Sequence, residues 1–344
     1  MAISPPRVRS DAVPLRAWKA QGRASAIVGM GTYAPPQVVT NLDLEASGLN
    51  TSDQWIRERT GIESRHVAAP GTSTFSIAYE ASVQALAAAN IGAADLDLIL
   101  VATSTPDGAF PSVACRLQEQ LGVPGPPAMD LVAACSGFVY ALSVADAFIS
   151  SGQANTVLVV GAEVMSRMVD WTDRSTCVLF ADGAGAAVLR PAARGAGFMS
   201  WCLGADGRGW DQVTCGNIPF GEDLKGRDDL SFIKMQGPDV FRFATDILIR
   251  QAQAVAKAAE LTMDDIDLWV PHQANRRIIE AAARRIGLPM DKVAVNIETY
   301  GNTSTASIPL ALEEALRQGR VKSGDRVLMA GFGSGLTWGA CLLE

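Results

Sequence analysis

Val157-Leu158-Val159-Val160-Gly161 recurs 170 residues further along the chain as Val327-Leu328-Met329-Ala330-Gly331. At the same offset, Asp95-Leu96-Asp97-Leu98 is repeated as Asp265-Ile266-Asp267-Leu268, and Ala141-Leu142 falls on Ala311-Leu312. Segments that match at one constant offset indicate an internal duplication, which has to be recognised before a fold is assigned. The 344-residue chain is therefore predicted to contain two related halves.

Each half alternates short apolar runs with helical patterns. Residues 99–102 are typical of a strand covered on both faces, and helices are predicted over 72–90, 111–121 and 137–151. This alternation predicts a layered α/β fold with buried sheets. We expect four segments along the chain, namely a basic N-terminal arm (1–23), a first half (24–200), an inserted connection (201–235) and a second half (236–344).

The composition excludes several classes of protein. A net charge of −7 argues against a nucleic-acid binder. The six cysteines show neither metal-ligand spacing nor the density of a disulfide framework, so we expect no metal and a reducing cytoplasm. The most apolar stretch, residues 131–145, is shorter than the ~20 residues that a membrane span requires, so no membrane association is expected.

Cys135 is the candidate nucleophile. It lies in Asp130-Leu131-Val132-Ala133-Ala134-Cys135-Ser136-Gly137, where a strand pattern gives way to a long helical pattern. The positive end of a helix dipole favours the thiolate, which can attack a thioester and hold the acyl group. The alternative is a buried cysteine that only packs, which is the interpretation we give to the other five.

His272 and Asn302 are candidate hydrogen-bond donors. His272, one of only two histidines, follows a strand pattern in Pro271-His272-Gln273-Ala274-Asn275, and Asn302 lies in Gly301-Asn302-Thr303-Ser304. Two donors aimed at a thioester carbonyl would stabilise the enolate that forms when a β-carboxylate leaves as CO2, by about 3–4 kcal/mol each. Taken alone, each residue has an ordinary alternative, as a core histidine and as a turn asparagine.

A predicted amphipathic helix over 273–286 carries Arg276, Arg277 and Arg284 on one face, with Arg285 at its edge. This face is either an ordinary solvated surface or a docking site for an acidic partner beside the active site.

Together with Thr51-Ser52-Asp53-Gln54-Trp55-Ile56, Arg59-Thr60-Gly61-Ile62 and Asp173-Arg174, these motifs resemble the β-ketoacyl-acyl-carrier-protein synthase III family over roughly residues 25–344. The resemblance implies the thiolase fold, an α/β fold whose two duplicated halves form five layers, αβαβα, in a homodimer. It implies a decarboxylative Claisen condensation of a short acyl-CoA primer with malonyl-acyl carrier protein, giving the 3-oxoacyl-carrier protein that initiates type II fatty acid synthesis. No cofactor is expected beyond these thioester substrates. A starter-unit ketosynthase of a secondary pathway remains the alternative.

The resemblance also implies roles for individual residues. Cys135 is acylated, His272 and Asn302 promote decarboxylation, and the backbone N–H groups of Cys135 and Ser334 form the oxyanion hole. Phe110 borders the partner subunit's acyl pocket, where its bulk suggests a short primer such as acetyl. The remaining sets are the coenzyme A site (Trp55, Arg59, Thr60, Arg174, Gly237, Asn275 and Arg277), the other acyl-pocket residues (Phe241 and Phe332) and the carrier-docking arginines (Arg242, Arg277, Arg284 and Arg285).

Three rival functions are less favoured by the residues. A thiolase needs a second cysteine near the C-terminus, and Cys341 is followed by Leu342-Leu343-Glu344 rather than glycine. A hydroxymethylglutaryl-CoA synthase needs a dedicated general acid, for which no candidate stands out. A non-catalytic carrier-binding scaffold would be expected to lack one of Cys135, His272 and Asn302.

Overall fold

The computed structural model describes residues 13–193, 195–216 and 232–344. At its centre lie two five-stranded sheets, whose strands are numbered along the chain. The first sheet has the order β2-β8-β7-β5-β6. The bounds of its strands are β2 Ser25–Tyr33, β5 Leu98–Ala102, β6 Ala128–Leu131, β7 Val157–Val164 and β8 Asp182–Pro191. β5 pairs in parallel with β6 and β7, whereas β8 is antiparallel to β7 and β2.

The second sheet repeats the first four positions of this order and adds an edge strand beside the first of them. Its order is β1-β9-β14-β13-β12, with a parallel β12–β13 pair and antiparallel pairs elsewhere. The strands are β1 Ala17–Lys19, β9 Phe198–Ala205, β12 Leu268–Pro271, β13 Val327–Gly333 and β14 Thr337–Leu343. β12 and β13 begin 170 residues after β5 and β7, so the predicted duplication is confirmed.

Two of these strands come from outside the predicted second half. β1 belongs to the basic arm, and β9 spans the expected division at residue 200, yet both pair within the second sheet. The predicted domain bounds at 23, 200 and 235 therefore do not follow the sheets, and the division remains a prediction.

Helices fill the space between the sheets and cover their outer faces. α5 (Gly137–Ser150) and α9 (Ser307–Arg317) lie between the sheets, and a single buried apolar cluster joins both helices to residues of both sheets. The outer helices are α3 (Thr74–Ala89) and α4 (Val113–Gln120) on the first sheet, and α6 (Gly237–Ala258) and α7 (Arg276–Ile286) on the second. These are the five expected layers, αβαβα.

Smaller elements surround the sheet edges near the site. They are the helices α1 (Asn41–Ala46), α2 (Asp53–Thr60) and α8 (Ile297–Tyr300), the β3–β4 pair (Val38–Thr40 and Ser64–His66) and the β10–β11 pair (Val213–Thr214 and Lys234–Met235). Among the described helices, none is long and apolar enough to cross a bilayer.

Capping side chains set three helix starts that differ from the predicted positions. α3 begins at Thr74 rather than 72, because the hydroxyl of Ser73 accepts the amide of Ser76. α4 begins at Val113 rather than 111, because the hydroxyl of Ser112 accepts the amide of Cys115. α7 begins at Arg276 rather than 273, because the side chain of Asn275 accepts the amide of Arg277. The three residues before α7 are thereby left in a loop, and His272 stands at the end of β12.

Candidate active site

The N-termini of the two central helices meet where the halves pack together. A short 3₁₀ turn precedes each helix, Ala134–Ser136 before α5 and Ser304–Ala306 before α9. Ala134 and Ser304 both have a left-handed φ, 45° and 50°, which non-glycine residues adopt rarely and mostly at turns or functional sites. The two turns contact each other, since a Cβ added at Gly137, which directly follows the first turn, would lie 3.0 Å from Thr305 Cγ2.

Gly333, which has no side chain, allows the C-terminal glycine-rich loop to pack directly against Cys135. A Cβ at Gly333 would lie 2.6 Å from the Cys135 backbone nitrogen, so this approach requires glycine. The neighbouring Ser334 donates its hydroxyl to the Val213 carbonyl at 2.5 Å.

One cavity of about 690 Å³ holds the three residues predicted to perform the chemistry. Cys135, His272 and Asn302 all line it, although they come from different halves and different layers. The other predicted site residues in its lining are Gly237, Phe241, Asn275, Phe332 and Ser334.

The environment of Cys135 opposes ionisation. Burial raises the pKa of the thiol to about 12, and the nearby Glu163 carboxylate contributes to the rise, whereas a hydrogen bond from Ser304 lowers it. The dipole of α5 also favours the thiolate, but its effect on a partly buried group is worth only up to ~2 kcal/mol. Burial and the helix dipole therefore act on the ionisation of the Cys135 thiol in opposite directions.

The Ser307 hydroxyl is the hydrogen-bond partner of His272 Nδ1. This Nδ1 lies 2.6 Å from the Ser307 hydroxyl oxygen, which also accepts the amide of Gln273 at 3.4 Å. The hydroxyl hydrogen is thus available to Nδ1, and the ring proton is assigned to Nε2. Burial lowers the pKa of His272 to about 3, so the imidazole is neutral and can donate through Nε2. The ring packs edge-on against Phe332 at 5.3 Å between centroids.

Asn302 is held by both its backbone and its side chain. Its backbone N–H donates to the Leu179 carbonyl, and its carbonyl accepts the Ala181 amide, each at 2.9 Å. Its side-chain Oδ1 accepts the amide of Ser304 at 2.9 Å, which leaves the Nδ2 group as the donor for a ligand. His272 and Asn302 therefore present two neutral donors to one cavity.

Several residues of the expected coenzyme A site stand outside the cavity lining. The guanidinium of Arg174 lies 4.9 Å from the Trp55 ring centroid, a spacing that leaves no room for a third planar group until Arg174 moves. The Arg59 carbonyl accepts the Asn275 side chain at 3.0 Å, which joins α2 to the cavity rim. Thr60 is buried, and its hydroxyl donates to the Ile56 carbonyl.

The four expected docking arginines are exposed. Arg285 pairs with Asp246 at 2.6 Å, Arg242 pairs with Asp239, and Arg277 lies over the Phe241 ring at 5.7 Å. Phe110 is 87% exposed and does not line the cavity.

Sequence reasoning missed three polar residues that contact the site, namely Glu163, Ser304 and Ser307. Ser304 and Ser307 follow Asn302 in the same segment, but nothing in their spacing shows which side chain they meet. Glu163 did give a signal, because it is an acidic residue within the otherwise apolar strand β7.

Comparison with known proteins identifies the family. Profiles for 3-oxoacyl-[acyl-carrier-protein] synthase III and for its C-terminal region match residues 129–207 and 256–344. The β-ketoacyl-[acyl-carrier-protein] synthase III of Xylella fastidiosa is 52% identical over 92% of this chain and 97% of its own length. The chain belongs to the β-ketoacyl-[acyl-carrier-protein] synthase III family. The predicted family and its acyltransferase activity are thus confirmed.

Solved structures agree with this assignment. The synthase III of Aquifex aeolicus has a TM-score of 0.87 and 45% identity, covering 93% of this chain and 99% of its own. The priming β-ketosynthase of the R1128 polyketide pathway has a TM-score of 0.88 and 35% identity, covering 98% of both chains. The thiolase fold expected for this synthase is therefore confirmed.

Proposed function

We propose that this synthase condenses a short acyl-CoA primer with malonyl-acyl carrier protein, using Cys135 as the acylated nucleophile. The supporting observation is that one cavity is lined by a thiol at a helix N-terminus and by the side chains of His272 and Asn302. A nucleophile next to two preformed donors suits a reaction with both a covalent acyl intermediate and an oxyanion.

In the first half-reaction, the Cys135 sulfur attacks the thioester carbonyl of the primer. A carbon–sulfur bond forms to Cys135, the bond to coenzyme A breaks, and coenzyme A leaves as the thiol. The backbone N–H groups of Cys135 and Ser334 would donate to the carbonyl oxygen as it gains negative charge. The close approach of Gly333 to the Cys135 nitrogen brings these two peptides together.

In the second half-reaction, the malonyl thioester carbonyl accepts hydrogen bonds from His272 Nε2 and Asn302 Nδ2. The carbon–carboxylate bond breaks and CO2 leaves. The electron pair of the broken bond stays on the remaining thioester as an enolate, which these donors stabilise. The enolate carbon then attacks the acyl group on Cys135, which forms the new carbon–carbon bond and releases the Cys135 thiolate, and this thiolate takes up a proton from solvent to restore the thiol. A neutral imidazole suits this role, because it needs no deprotonation before it donates.

Binding roles are part of the same proposal. The coenzyme A nucleotide would bind at Trp55 and Arg174 once they separate, and the acidic carrier protein would dock on the exposed arginines around α7. The exposed side chains of Phe110 and Val132, at 87% and 79%, suit burial in a homodimer. We expect the enzyme in a reducing cytoplasm, since the spacing of its six cysteines shows no disulfide framework.

Intact-protein mass spectrometry tests the proposal. Wild type and Cys135→Ala are mixed with a panel of acyl-CoAs, and a mass gain of one acyl group is expected on wild type alone. The primer that loads best separates a fatty acid synthase from a starter-unit ketosynthase, the second candidate favoured by the likeness to the polyketide enzyme. The absence of any acyl adduct on wild type would refute the covalent mechanism.

A further inference from the structure

Arg65 is a buried cation that the mechanism above does not use. It lies in β4, and none of its surface is exposed to solvent. Among the residues that the structure describes, no carboxylate forms an ion pair with its guanidinium. Burial lowers the pKa of Arg65 to about 10, which still leaves the side chain charged at neutral pH. A buried charge is costly unless polar groups compensate it, and here uncharged oxygens do so.

These oxygens come from two separate parts of the fold. Nη1 of Arg65 donates to the Val39 carbonyl at 3.1 Å, and Nη2 donates to the side-chain oxygen of Asn41 at 2.8 Å. Both acceptors lie where β3 leads into α1. Nη2 also donates to the Val178 carbonyl at 3.0 Å, across 113 residues of sequence. Arg65 therefore ties the segment 178–181 to the β3–β4 pair.

This segment is the one against which Asn302 is held. The Leu179 carbonyl accepts the Asn302 amide, and the Ala181 amide donates to the Asn302 carbonyl, each at 2.9 Å. The two bonds form an isolated parallel bridge between Phe180 and Asn302. Because Val178 directly precedes the bridge, a movement of its carbonyl is passed on to the backbone of Asn302.

Arg65 also contacts the turn before Asn302 directly. A Cβ added at Gly301 would lie 3.3 Å from the Arg65 Cβ, so the two residues are in contact. The same strand also holds α8, which leads into the turn, since the Ser64 hydroxyl donates to the Thr299 carbonyl at 3.0 Å. The turn is thus held by β4 and by the segment that Arg65 attaches to β4.

We propose that Arg65 is a positioning residue, which keeps the side-chain amide of Asn302 aligned with the malonyl thioester carbonyl during decarboxylation. This inference rests on the proposed function. Arg65 does not line the cavity, and it acts through the segment 178–181 and the turn at Gly301. A donor such as Asn302 Nδ2 stabilises an oxyanion only from a narrow range of positions, so a small displacement of the turn lowers the rate.

Acylation should not depend on Arg65. Its hydrogen bonds end at Val39, Asn41 and Val178, none of which belongs to the turn that carries Cys135 or to the glycine-rich loop beside it. The inference therefore predicts a selective loss of the second half-reaction.

The test is a double-mutant cycle, in which Arg65→Met, Asn302→Ala and the double variant are compared with wild type. Acylation by acetyl-CoA is followed in a single turnover by quenched mass spectrometry. Decarboxylation is followed as CO2 release from malonyl-carrier protein on enzyme that has been acylated beforehand. Arg65→Met should lower the rate of decarboxylation about 100-fold, the cost of displacing a catalytic group by about 1 Å. Its rate of acylation should stay within about threefold of wild type, because Cys135 and its oxyanion hole are untouched.

The double variant separates positioning from general stability. In the Asn302→Ala background the donor is already absent, so Arg65→Met should change the rate of decarboxylation by less than about threefold. A merely structural role of Arg65 would lower the rate by the same factor in both backgrounds.

Two further variants serve as controls, and circular dichroism establishes that each is folded. Leu44→Ala removes a buried side chain from the apolar cluster that contains Val178, but none of the hydrogen bonds of Arg65. Both of its rates should stay within about threefold of wild type. Arg65→Lys keeps the charge but lacks the planar fork, so its loss of decarboxylation should be smaller than that of Arg65→Met. If Arg65→Met does not fold, Arg65→Lys replaces it in the cycle, and its loss should likewise disappear in the Asn302→Ala background.

Three results would overturn the inference while leaving the proposed function intact. They are wild-type decarboxylation in Arg65→Met, an equal loss of both half-reactions, and an undiminished effect of Arg65→Met in the Asn302→Ala background. Wild-type decarboxylation in Asn302→Ala, or a wild-type protein that forms no acyl-enzyme, would overturn the proposed function and this inference together.

Discussion

Ser307→Ala tests the assignment of the His272 proton. In the structure, the Ser307 hydroxyl is 2.6 Å from Nδ1 of a buried imidazole. Removing the hydroxyl leaves Nδ1 without this donor, and the ring proton is no longer confined to Nε2. Leaving a buried polar atom unsatisfied costs about 1–3 kcal/mol. At 1.36 kcal/mol per tenfold in rate, the condensation step should slow by about 5- to 150-fold.

The loss should be confined to decarboxylation. His272 has no part in the proposed acylation, so single-turnover loading of Cys135 by acetyl-CoA should change less than twofold. Ser307→Thr is the matched control, because it retains a hydroxyl on the same carbon and should keep most of the condensation rate. The assay is CO2 release and product formation from malonyl-carrier protein on pre-acylated enzyme.

Either of two outcomes would refute this reasoning. Condensation by Ser307→Ala within twofold of wild type would show that Nδ1 needs no hydroxyl to hold the tautomer. A parallel fall in acylation would show that the substitution disturbs the start of α9 rather than the imidazole.

Three further predictions concern pH and binding. Because burial lowers the pKa of His272 to about 3, condensation by pre-acylated enzyme should be flat from about pH 5.5 to 8, where an ordinary imidazole titrates near 6.5. Arg284→Glu should raise KM for malonyl-carrier protein roughly tenfold at low salt and less at high salt, whereas Lys257→Glu at the far end of α6 should not. Trp55→Ala should raise KM for acetyl-CoA by about 2- to 12-fold, which corresponds to the free energy of one aromatic stacking contact, and should leave the KM for acetyl-pantetheine unchanged.

Each of these predictions has a contrary result. An inflection near pH 6.5 that disappears in His272→Gln would show that the imidazole titrates as if exposed. Equal effects of Arg284→Glu and Lys257→Glu would indicate long-range charge rather than docking. An equal rise in KM for acetyl-pantetheine would show that Trp55→Ala disturbs the protein core rather than the binding of the nucleotide.

Much of the architecture was predictable from local pattern. The 170-residue offset predicted matching strands, and β5 with β12 and β7 with β13 keep that spacing. Helix ends were less predictable, since Ser73, Ser112 and Asn275 shift three starts through single capping bonds. The arm and the connection were assigned by composition, which gives no information on strand pairing, so β1 and β9 in the second sheet were missed.

The sequence by itself determined the duplicated fold and the position of Cys135 at the start of a helix. It also identified the thiol of Cys135, the imidazole of His272 and the amide of Asn302 as the candidate chemical groups. Strand and helix periodicity and short motifs are local, so they are readable without coordinates. Only the tertiary structure decided which groups touch. Ser307 meets His272 across 35 residues, and Ser304 meets Glu163 across 141. Burial, which also depends on the assembled layers, raises the pKa of the Cys135 thiol and keeps His272 neutral.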